Sequence, residues 1–177
     1  MTRCRLAPTD TITCPFTILI DGREKAPYRF DGIRADAGQQ HRPIVVATEW
    51  AYLPTGDYTI AGMEDEVCVE RKSLADLYST LGQHRERFER EHQRMAAIVE
   101  AGGSAIVVVE ADWEAAIHWP PERSQLPPKV VFRTALSWQV RYRVPWHFLP
   151  DRRFSELFTF RFLEKFWKLN NKEKSHG

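Results

Sequence analysis

The sequence contains 177 residues (20.6 kDa), which suffices for one domain with a full hydrophobic core. Hydrophobic residues make up 43% of it and aromatic residues 12%, and so much apolar surface excludes a disordered chain. The net charge is only +1, but residues 1–117 hold 13 Lys and Arg against 19 Asp and Glu (net −6), whereas residues 118–177 hold 12 against 5 (net +7). This asymmetry suits an acidic pocket beside a phosphate-attracting surface, although charge alone favours chance clustering on solvated faces.

The chain shows no sign of a membrane or secretory destination. No apolar run approaches the ~20 residues that span a bilayer, and the first ten residues lack the apolar core of a signal sequence. The three cysteines, Cys4, Cys14 and Cys68, are odd in number and lack CxxC spacing, which argues against a disulfide scaffold and a zinc ribbon. We therefore expect no membrane partner and a cytoplasmic location.

The first part of the chain is predicted to be mostly strands. Residues 1–15 lack periodicity and are predicted to form a flexible N-terminal arm. Four short apolar or alternating segments, bounded by Gly, Asp and Pro, predict strands at residues 16–20, 44–47, 58–60 and 67–71. The last two strands are close enough in sequence to form a hairpin.

The second part of the chain predicts helices around one apolar strand. Ser73 is a good N-cap for a helix that starts at residue 74. Further helices are predicted at 86–101, 130–143 and 154–169, strands at 105–109 and 144–148, a structured loop at 112–128 and a frayed tail at 171–177. The order predicts a single three-layer α/β domain over residues 16–170.

Carboxylates and a lysine fall at the ends of the predicted strands. The four carboxylates are Asp21, Asp57, Glu70 and, just inside the following helix, Asp76. Because side chains alternate along a strand, Glu70 and Lys72 share one face while Arg71 points to the other. The hairpin brings this face to Gly56-Asp57, so we predict a compact acidic pocket that contains one cation.

Such a pocket suits metal-assisted hydrolysis of a phosphodiester. Mg²⁺ prefers hard oxygen ligands and keeps several waters, so one or two carboxylates suffice, and the metal lowers the pKa of a bound water. Lys72 could orient or deprotonate the attacking water, or hold the scissile phosphate. Singly, Glu70 and Lys72 could be a surface ion pair, Asp76 a capping residue and Asp21 a turn residue. Their joint occurrence favours the catalytic interpretation.

These segments resemble the nuclease domain of the XPF family. Its hallmark is Gly-Asp, a gap, and then Glu-Arg-Lys-x-x-x-Asp, which is present here as Gly56-Asp57 and residues 70–76. The segments DGREKAP (21–27), LPTGDY (53–58) and RERF (85–88), and the strand that ends Val109-Glu110, are similar to short stand-alone members from phages and prophages. The resemblance covers residues 16–170.

The resemblance implies a restriction-endonuclease-like core, in which helices flank a mixed central sheet, and divalent-metal-dependent DNA cleavage, often at branched or single-strand/double-strand junctions. It implies Mg²⁺ or Mn²⁺ held by Asp57, Glu70 and the carbonyl of Arg71, with Lys72 catalytic. Asp21, Glu24 and Asp76 would complete the acidic site, and Arg23 would contact phosphate or brace the carboxylates. A role in DNA repair or recombination, in a bacterial or phage-infected cell, would follow.

Four arginines at the second helix are candidates for DNA binding: Arg85, Arg87, Arg90 and Arg94. The spacing of the last three places them on one helix face. This face could contact phosphates, or it could be a solvated face whose arginines pair with Glu86, Glu89 and Glu91.

Two other functions remain open. One is a catalytically weak DNA-binding or scaffolding domain with a degenerate site, against which the intact Glu-Arg-Lys argues. The other is a restriction or recombination nuclease that shares the core but has no junction preference, since substrate choice lies in surface loops.

The last helix predicts a homodimer. One side of it carries Phe154, Phe158, Phe162 and Phe166, and the other carries Leu157, Phe160, Leu163 and Trp167. A surface helix needs one apolar stripe, so an apolar girdle predicts that a second chain covers the C-terminal helix. The alternative is that the preceding helix and the loop at 113–128 fold over it.

Overall fold

In the computed structural model, residues 10–174 are described, and they form a six-stranded sheet between two layers of helices. The strands are β1 (Ile12–Asp21), β2 (Ile44–Ala51), β3 (Tyr58–Ile60), β4 (Val67–Lys72), β5 (Ser104–Val109) and β6 (Trp146–Phe148). The helices are α1 (Leu74–Gln83), α2 (Arg85–Glu100), α3 (Trp113–His118), α4 (Pro128–Tyr142) and α5 (Arg152–Lys174).

The sheet is mixed, with strand order β2-β1-β3-β4-β5-β6. Strand β3 is antiparallel to both of its neighbours, and the other adjacent pairs are parallel. The predicted hairpin of β3 and β4 is confirmed. Strand β5 lies inside the sheet with Val107, Val108 and Val109 fully buried, as β-branched residues covered on both faces predict. The α/β fold class is confirmed.

The two faces of the sheet carry separate cores. Val69 and Val108 pack with the side chains of α5, whereas Cys68 and Val107 pack with those of α1, α2 and α4. Strand β4 therefore sends alternate side chains into opposite layers. Glu70 and Lys72 follow Cys68 toward α1 and α2, and Arg71 follows Val69 toward α5.

The N-terminal prediction is partly wrong. Strand β1 begins at Ile12, so residues 12–15 of the predicted arm belong to the sheet, while residues 1–9 lie outside the described part of the chain. The pairing of β1 with β2 shifts register between Thr13 and Thr17. This irregularity accommodates Pro15, which has no N–H to donate to a regular ladder. Strand β2 also continues to Ala51, beyond the predicted end.

Two helical segments also differ from prediction. The predicted loop at 112–128 contains α3, where Asp112 caps the helix by accepting a hydrogen bond from the Ala115 amide at 2.7 Å. Helix α5 continues to Lys174, so the frayed tail is wrong for residues 171–174. Residues 175–177 lie outside the described part.

Helix α5 is covered on one side by its own chain. Phe160 and Leu163 are fully buried, and Phe16 of β1 stacks on Phe160. The partly buried phenylalanines of the other side, Phe158, Phe162 and Phe166, also pack against this core. The core of this sheet face therefore covers more than one apolar stripe of α5. Phe154 and Leu169 stay exposed.

Candidate active site

An open pocket of about 590 Å³ lies where β1 and β4 end, β3 begins, and α1 and α2 start. The predicted site residues that line it are Asp21, Arg23, Glu24, Asp57, Glu70, Arg71, Lys72, Asp76, Arg87 and Arg94. The sequence motif therefore converges in space. Arg85 and Arg90 do not line this pocket.

A glycine turn presses Asp57 against β4. Gly56 has φ of +73°, and a Cβ there would lie 3.1 Å from the Val69 carbonyl oxygen, so a side chain would meet backbone strain and a tight contact. The Asp57 amide donates to that same carbonyl at 2.8 Å. The Asp57 carboxylate accepts a hydrogen bond from the Arg71 amide at 2.7 Å. These contacts fix its direction.

Glu70 and Lys72 share a face of β4, as the alternation predicts. Lys72 Nζ lies 2.5 Å from Glu70 Oε1 and 4.9 Å from the centre of the Phe88 ring. Burial alone would lower the pKa of Lys72, but the carboxylates of Glu70 and Asp57 outweigh it, and the pKa lies above its usual value. The amine is therefore protonated at neutral pH.

The surroundings of Asp57 disfavour its ionised form. Burial and then the negative charge of Glu70 raise the pKa of Asp57 well above its usual range. Lys72 and the Arg71 amide offset only part of that effect. Asp57 and Glu70 therefore form an under-compensated pair of carboxylates, which a cation would stabilise.

Asp21 is held by Arg23 rather than left free. The guanidinium donates to both Asp21 oxygens at 2.8 Å, and the Leu53 amide donates to one of them at 3.0 Å. Burial alone would raise the pKa of Asp21, but the hydrogen bonds from Arg23 and Leu53 lower it. Asp21 is thus an ionised anchor at the pocket wall, and its carboxylate is paired with Arg23.

Glu24 and the Arg71 side chain belong to a second set of ion pairs at the pocket edge. Arg71 donates to Glu110 at 2.8 and 2.6 Å and lies 3.3 Å from Glu24. Arg152 of α5 also donates to Glu110, at 2.9 Å. Glu24 in turn accepts from the Ala26 amide at 2.6 Å. The side chains of Arg71, Glu24 and Glu110 are each at least nine-tenths buried and are mutually compensated.

Asp76 serves the helix that it begins. Its amide donates to the Ser73 hydroxyl at 3.1 Å, and that hydroxyl donates to the Asp76 carboxylate at 2.6 Å. The capping interpretation is therefore observed, at a position that also lines the pocket.

The four arginines divide into two groups. Arg87 and Arg94 line the pocket, and Arg94 pairs with Glu91. Arg85 instead donates to the Thr134 hydroxyl at 2.8 Å and lies over the Trp138 ring, so it joins α2 to α4. Arg90 is exposed and lies outside the pocket.

Glu91 is a pocket residue that sequence reasoning did not select. Its Oε1 accepts a hydrogen bond from the Gly56 amide at 2.9 Å, so α2 holds the turn that carries Asp57. Burial and the charge of Glu70 raise its pKa. The sequence showed only the spacing to Arg94, because the contact to Gly56 spans 35 residues.

The donor set fits a divalent cation that keeps most of its waters. No cluster of three or more His, Cys, Asp or Glu side chains that could hold a metal occurs among residues 10–174. Two hard oxygen donors nevertheless face the pocket, from Asp57 and Glu70, and one or two carboxylates are the usual protein contribution to a Mg²⁺ site. Their mutual repulsion is the property that a bound cation would relieve.

The architecture is that of a restriction-endonuclease-like fold: a mixed sheet with helices on both faces and an acid–lysine pocket at its edge. Residues 20–162 match the family model of the ERCC4 domain. The chain therefore belongs to the ERCC4 domain family, and the resemblance to XPF-family nuclease domains is confirmed. No curated protein sequence matches it.

The chain resembles several solved structures, among them two from Aeropyrum pernix. One is XPF from Aeropyrum pernix, with 20% identity and a TM-score of 0.57 over 90% of this chain and 67% of that chain. The other is XPF from Aeropyrum pernix in complex with DNA, with 22% identity and a TM-score of 0.56 over 89% of this chain and 66% of that chain. The chain thus spans about two thirds of the length of these structures.

Proposed function

We propose that the protein is a divalent-metal-dependent DNA endonuclease that uses Mg²⁺ or Mn²⁺. The observation that carries the proposal is the under-compensated pair Asp57 and Glu70 beside protonated Lys72, in an open pocket. Membership of the ERCC4 domain family supports nuclease chemistry. The DNA complex of the Aeropyrum pernix XPF supports DNA as the ligand.

The metal, when bound by Asp57, Glu70 and the Arg71 carbonyl, would supply an activated water and neutralise charge on the phosphate. Lys72, held as a cation by two carboxylates, would donate hydrogen bonds to the attacking water or to a phosphate oxygen. Glu91 and Gly56 would keep Asp57 in place while the substrate enters.

Basic side chains at the pocket would hold the DNA backbone. Arg23, Lys25, Arg87 and Arg94 line the pocket together with the carboxylates. These cations, which line the same pocket as the carboxylates, would attract phosphates and orient the scissile one. The openness of the pocket to solvent suits a bulky substrate, and branched or junction DNA is the substrate class that we propose within this function.

Cleavage of a labelled DNA panel tests the function. The panel contains linear, flapped, forked and four-way DNA, with Mg²⁺ or Mn²⁺ or with chelator. We expect metal-dependent cleavage by the wild type, and loss of rate in Lys72→Ala without loss of metal binding, because a charged lysine cannot be a ligand. Cleavage that survives chelator, or full activity in Lys72→Ala, would overturn the assignment.

We also propose that the protein forms a homodimer through α5. The exposed residues Phe154 and Leu169 lie about 60° apart on the helix, on the side roughly opposite Phe160 and Leu163. Phe154→Glu with Leu169→Glu alters only exposed positions, so it should give a folded monomer. A wild type that sediments as a monomer at micromolar concentration would contradict the dimer.

No helix among the described residues is long and apolar enough to cross a membrane. We propose a cytoplasmic role in DNA repair or recombination, in a bacterial or phage-infected cell, as the setting for the nuclease.

A further inference from the structure

An exposed aromatic side chain lies beside the catalytic pocket and has no part in the proposed chemistry. Tyr52 follows β2 and is 79% exposed. The Arg23 guanidinium lies 5.1 Å from the centre of its ring. A single exposed ring is ordinary on a protein surface, but Tyr52 differs in its contact with Arg23, which lines the pocket.

The backbone on both sides of Tyr52 is hydrogen-bonded, although the ring itself is exposed. The next residue, Leu53, donates its amide to Asp21, and its carbonyl accepts from Arg23 at 2.8 Å. The preceding residue, Ala51, accepts from the Gly22 amide at 2.8 Å. Hydrogen bonds on both sides therefore fix the backbone that presents the ring. Because this backbone is already ordered, stacking of a flat ligand would cost only the rotamer freedom of the ring.

The ring is also close to the proposed reaction centre. The Asp21 amide donates to the Asp57 carbonyl at 2.9 Å, and Gly22 pairs with Ala51. Tyr52 thus lies about two strand spacings, ~10 Å, from Asp57 along the sheet edge. A strand whose phosphate lies at Asp57 would bring a base a few nucleotides away over Tyr52, since B-DNA rises 3.4 Å per nucleotide of a strand.

The charged side chain beside Tyr52 indicates which class of ligand would bind there. Arg23 is two-thirds exposed and contacts both the Tyr52 ring and Asp21, so a cation lies between the ring and the acidic pocket. Aromatic rings with interleaved cations bind single-stranded nucleic acid by stacking on bases while the cations follow the backbone. In a duplex, the bases stack on one another and are closed to such contact.

We propose that Tyr52, backed by the Arg23 guanidinium, is a stacking platform for an unpaired nucleobase next to the scissile phosphate. This inference rests on the proposed nuclease function for its location, but the binding that it describes does not require cleavage.

The test is a binding titration with the full chain, in an Asp57→Asn background that keeps the DNA intact. The probes are a labelled strand without self-complementarity and a blunt duplex of the same length. Tyr52→Ala should weaken single-strand binding by about fivefold to about a hundredfold and duplex binding much less, as expected for the loss of one base–aromatic stack. Tyr52→Phe should restore the affinity, because the ring is kept. Trp119→Ala, which removes an exposed aromatic side chain outside the pocket, is the matched control and should change neither affinity.

Salt dependence separates stacking from a general electrostatic effect. Stacking releases no counterions, so Tyr52→Ala should lower single-strand affinity by the same factor at low and high salt and leave the salt slope unchanged. Equal losses for strand and duplex, a changed slope, or an unchanged affinity would overturn the platform. Single-strand binding through Tyr52 in a protein that cleaves no DNA would uphold the platform and refute the nuclease. DNA cleavage together with an unchanged single-strand affinity in Tyr52→Ala would refute the platform and uphold the nuclease.

Discussion

Strand β4 carries two groups of charged side chains on its opposite faces. The open cluster consists of Asp57, Glu70 and Lys72, and the closed cluster consists of Glu24, Arg71, Glu110 and Arg152. Both are largely buried, and both contain ion pairs shorter than 3 Å. In the closed cluster two carboxylates meet two guanidinium groups, and Glu110 alone accepts three N–H donors. In the open cluster two carboxylates share one ammonium group.

This difference shows which charges are available for chemistry. In the closed cluster, Arg71, Glu24 and Glu110 are nine-tenths buried and their charges are compensated, so the loss of one of them should affect folding. A cluster with surplus negative charge facing a pocket lowers its free energy by binding a cation, and its loss should affect activity. Adjacent residues of one motif, Glu70 and Arg71, thus have different roles because a strand directs them to opposite faces.

Replacing Asp57 by its isosteric amide should have the largest effect. Asp57→Asn should reduce the cleavage rate about a thousandfold or more, since it removes a charge at the reaction centre. The thermal midpoint should stay unchanged or rise, because the repulsion with Glu70 disappears. Cleavage assays and thermal unfolding of the same preparation measure the two quantities. If the variant loses stability but keeps its specific activity, Asp57 contributes to folding rather than to catalysis.

The same chemical change in the closed cluster should have the opposite outcome. Glu110→Gln leaves the Arg71 guanidinium buried without its main partner, and we expect a loss of about 3 kcal/mol in the free energy of unfolding. The specific activity of the folded fraction should stay close to that of the wild type. Urea unfolding monitored by tryptophan fluorescence gives the free energy. Unchanged stability would show that Glu24 and solvent suffice to compensate Arg71.

His92, behind the open cluster on α2, should influence stability alone. Its Nε2 accepts from the Trp146 indole N–H and its Nδ1 donates to the Phe88 carbonyl, both at 2.9 Å, so the ring is neutral. Burial lowers its pKa from 6.5 to about 4. The unfolded chain therefore binds the proton more tightly, and stability should fall as the pH drops from 6.5 to 4, by up to about 3 kcal/mol.

Comparison with His92→Gln isolates this contribution, because other groups titrate in both proteins. The variant should lose less stability than the wild type over that pH interval in urea unfolding. Parallel pH profiles for the two proteins would mean that His92 is protonated in the folded state as well.

Glu91 should show a smaller effect on the reaction. Glu91→Ala removes the acceptor that holds the Gly56 amide, and we expect about a tenfold loss in kcat, as for other residues that orient a ligand. Glu91→Gln keeps an acceptor oxygen and should restore most of the rate. An equal loss in both variants would indicate that the charge of Glu91, rather than its hydrogen bond, matters.

The sequence predicted the open cluster better than its surroundings. Alternation placed Glu70 with Lys72, and the hairpin placed both beside Gly56-Asp57, because these are local properties of neighbouring strands. The contact of Glu91 with Gly56 and that of Arg85 with Thr134 depend on how α2 lies against distant elements. Spacing along a helix cannot specify such partners.

The same reasoning explains the errors in the elements. Pro15 is unfavourable in a regular strand, so the start of β1 was missed, and only the irregular pairing with β2 makes it tolerable. Helix α3 has six residues, too short for a periodic pattern to be visible. The long apolar strand β5 was predictable because its composition fits burial on both faces.

The affinity for Mn²⁺ shows directly whether Asp57 and Glu70 hold a cation, because it is measured without DNA or catalysis. The wild type, Asp57→Asn and Glu110→Gln are titrated with Mn²⁺, and free Mn²⁺ is followed by electron paramagnetic resonance. We expect saturable binding that Asp57→Asn weakens at least about tenfold and folded Glu110→Gln retains. Equal Mn²⁺ affinity in the wild type and Asp57→Asn would contradict a cation site at Asp57 and Glu70.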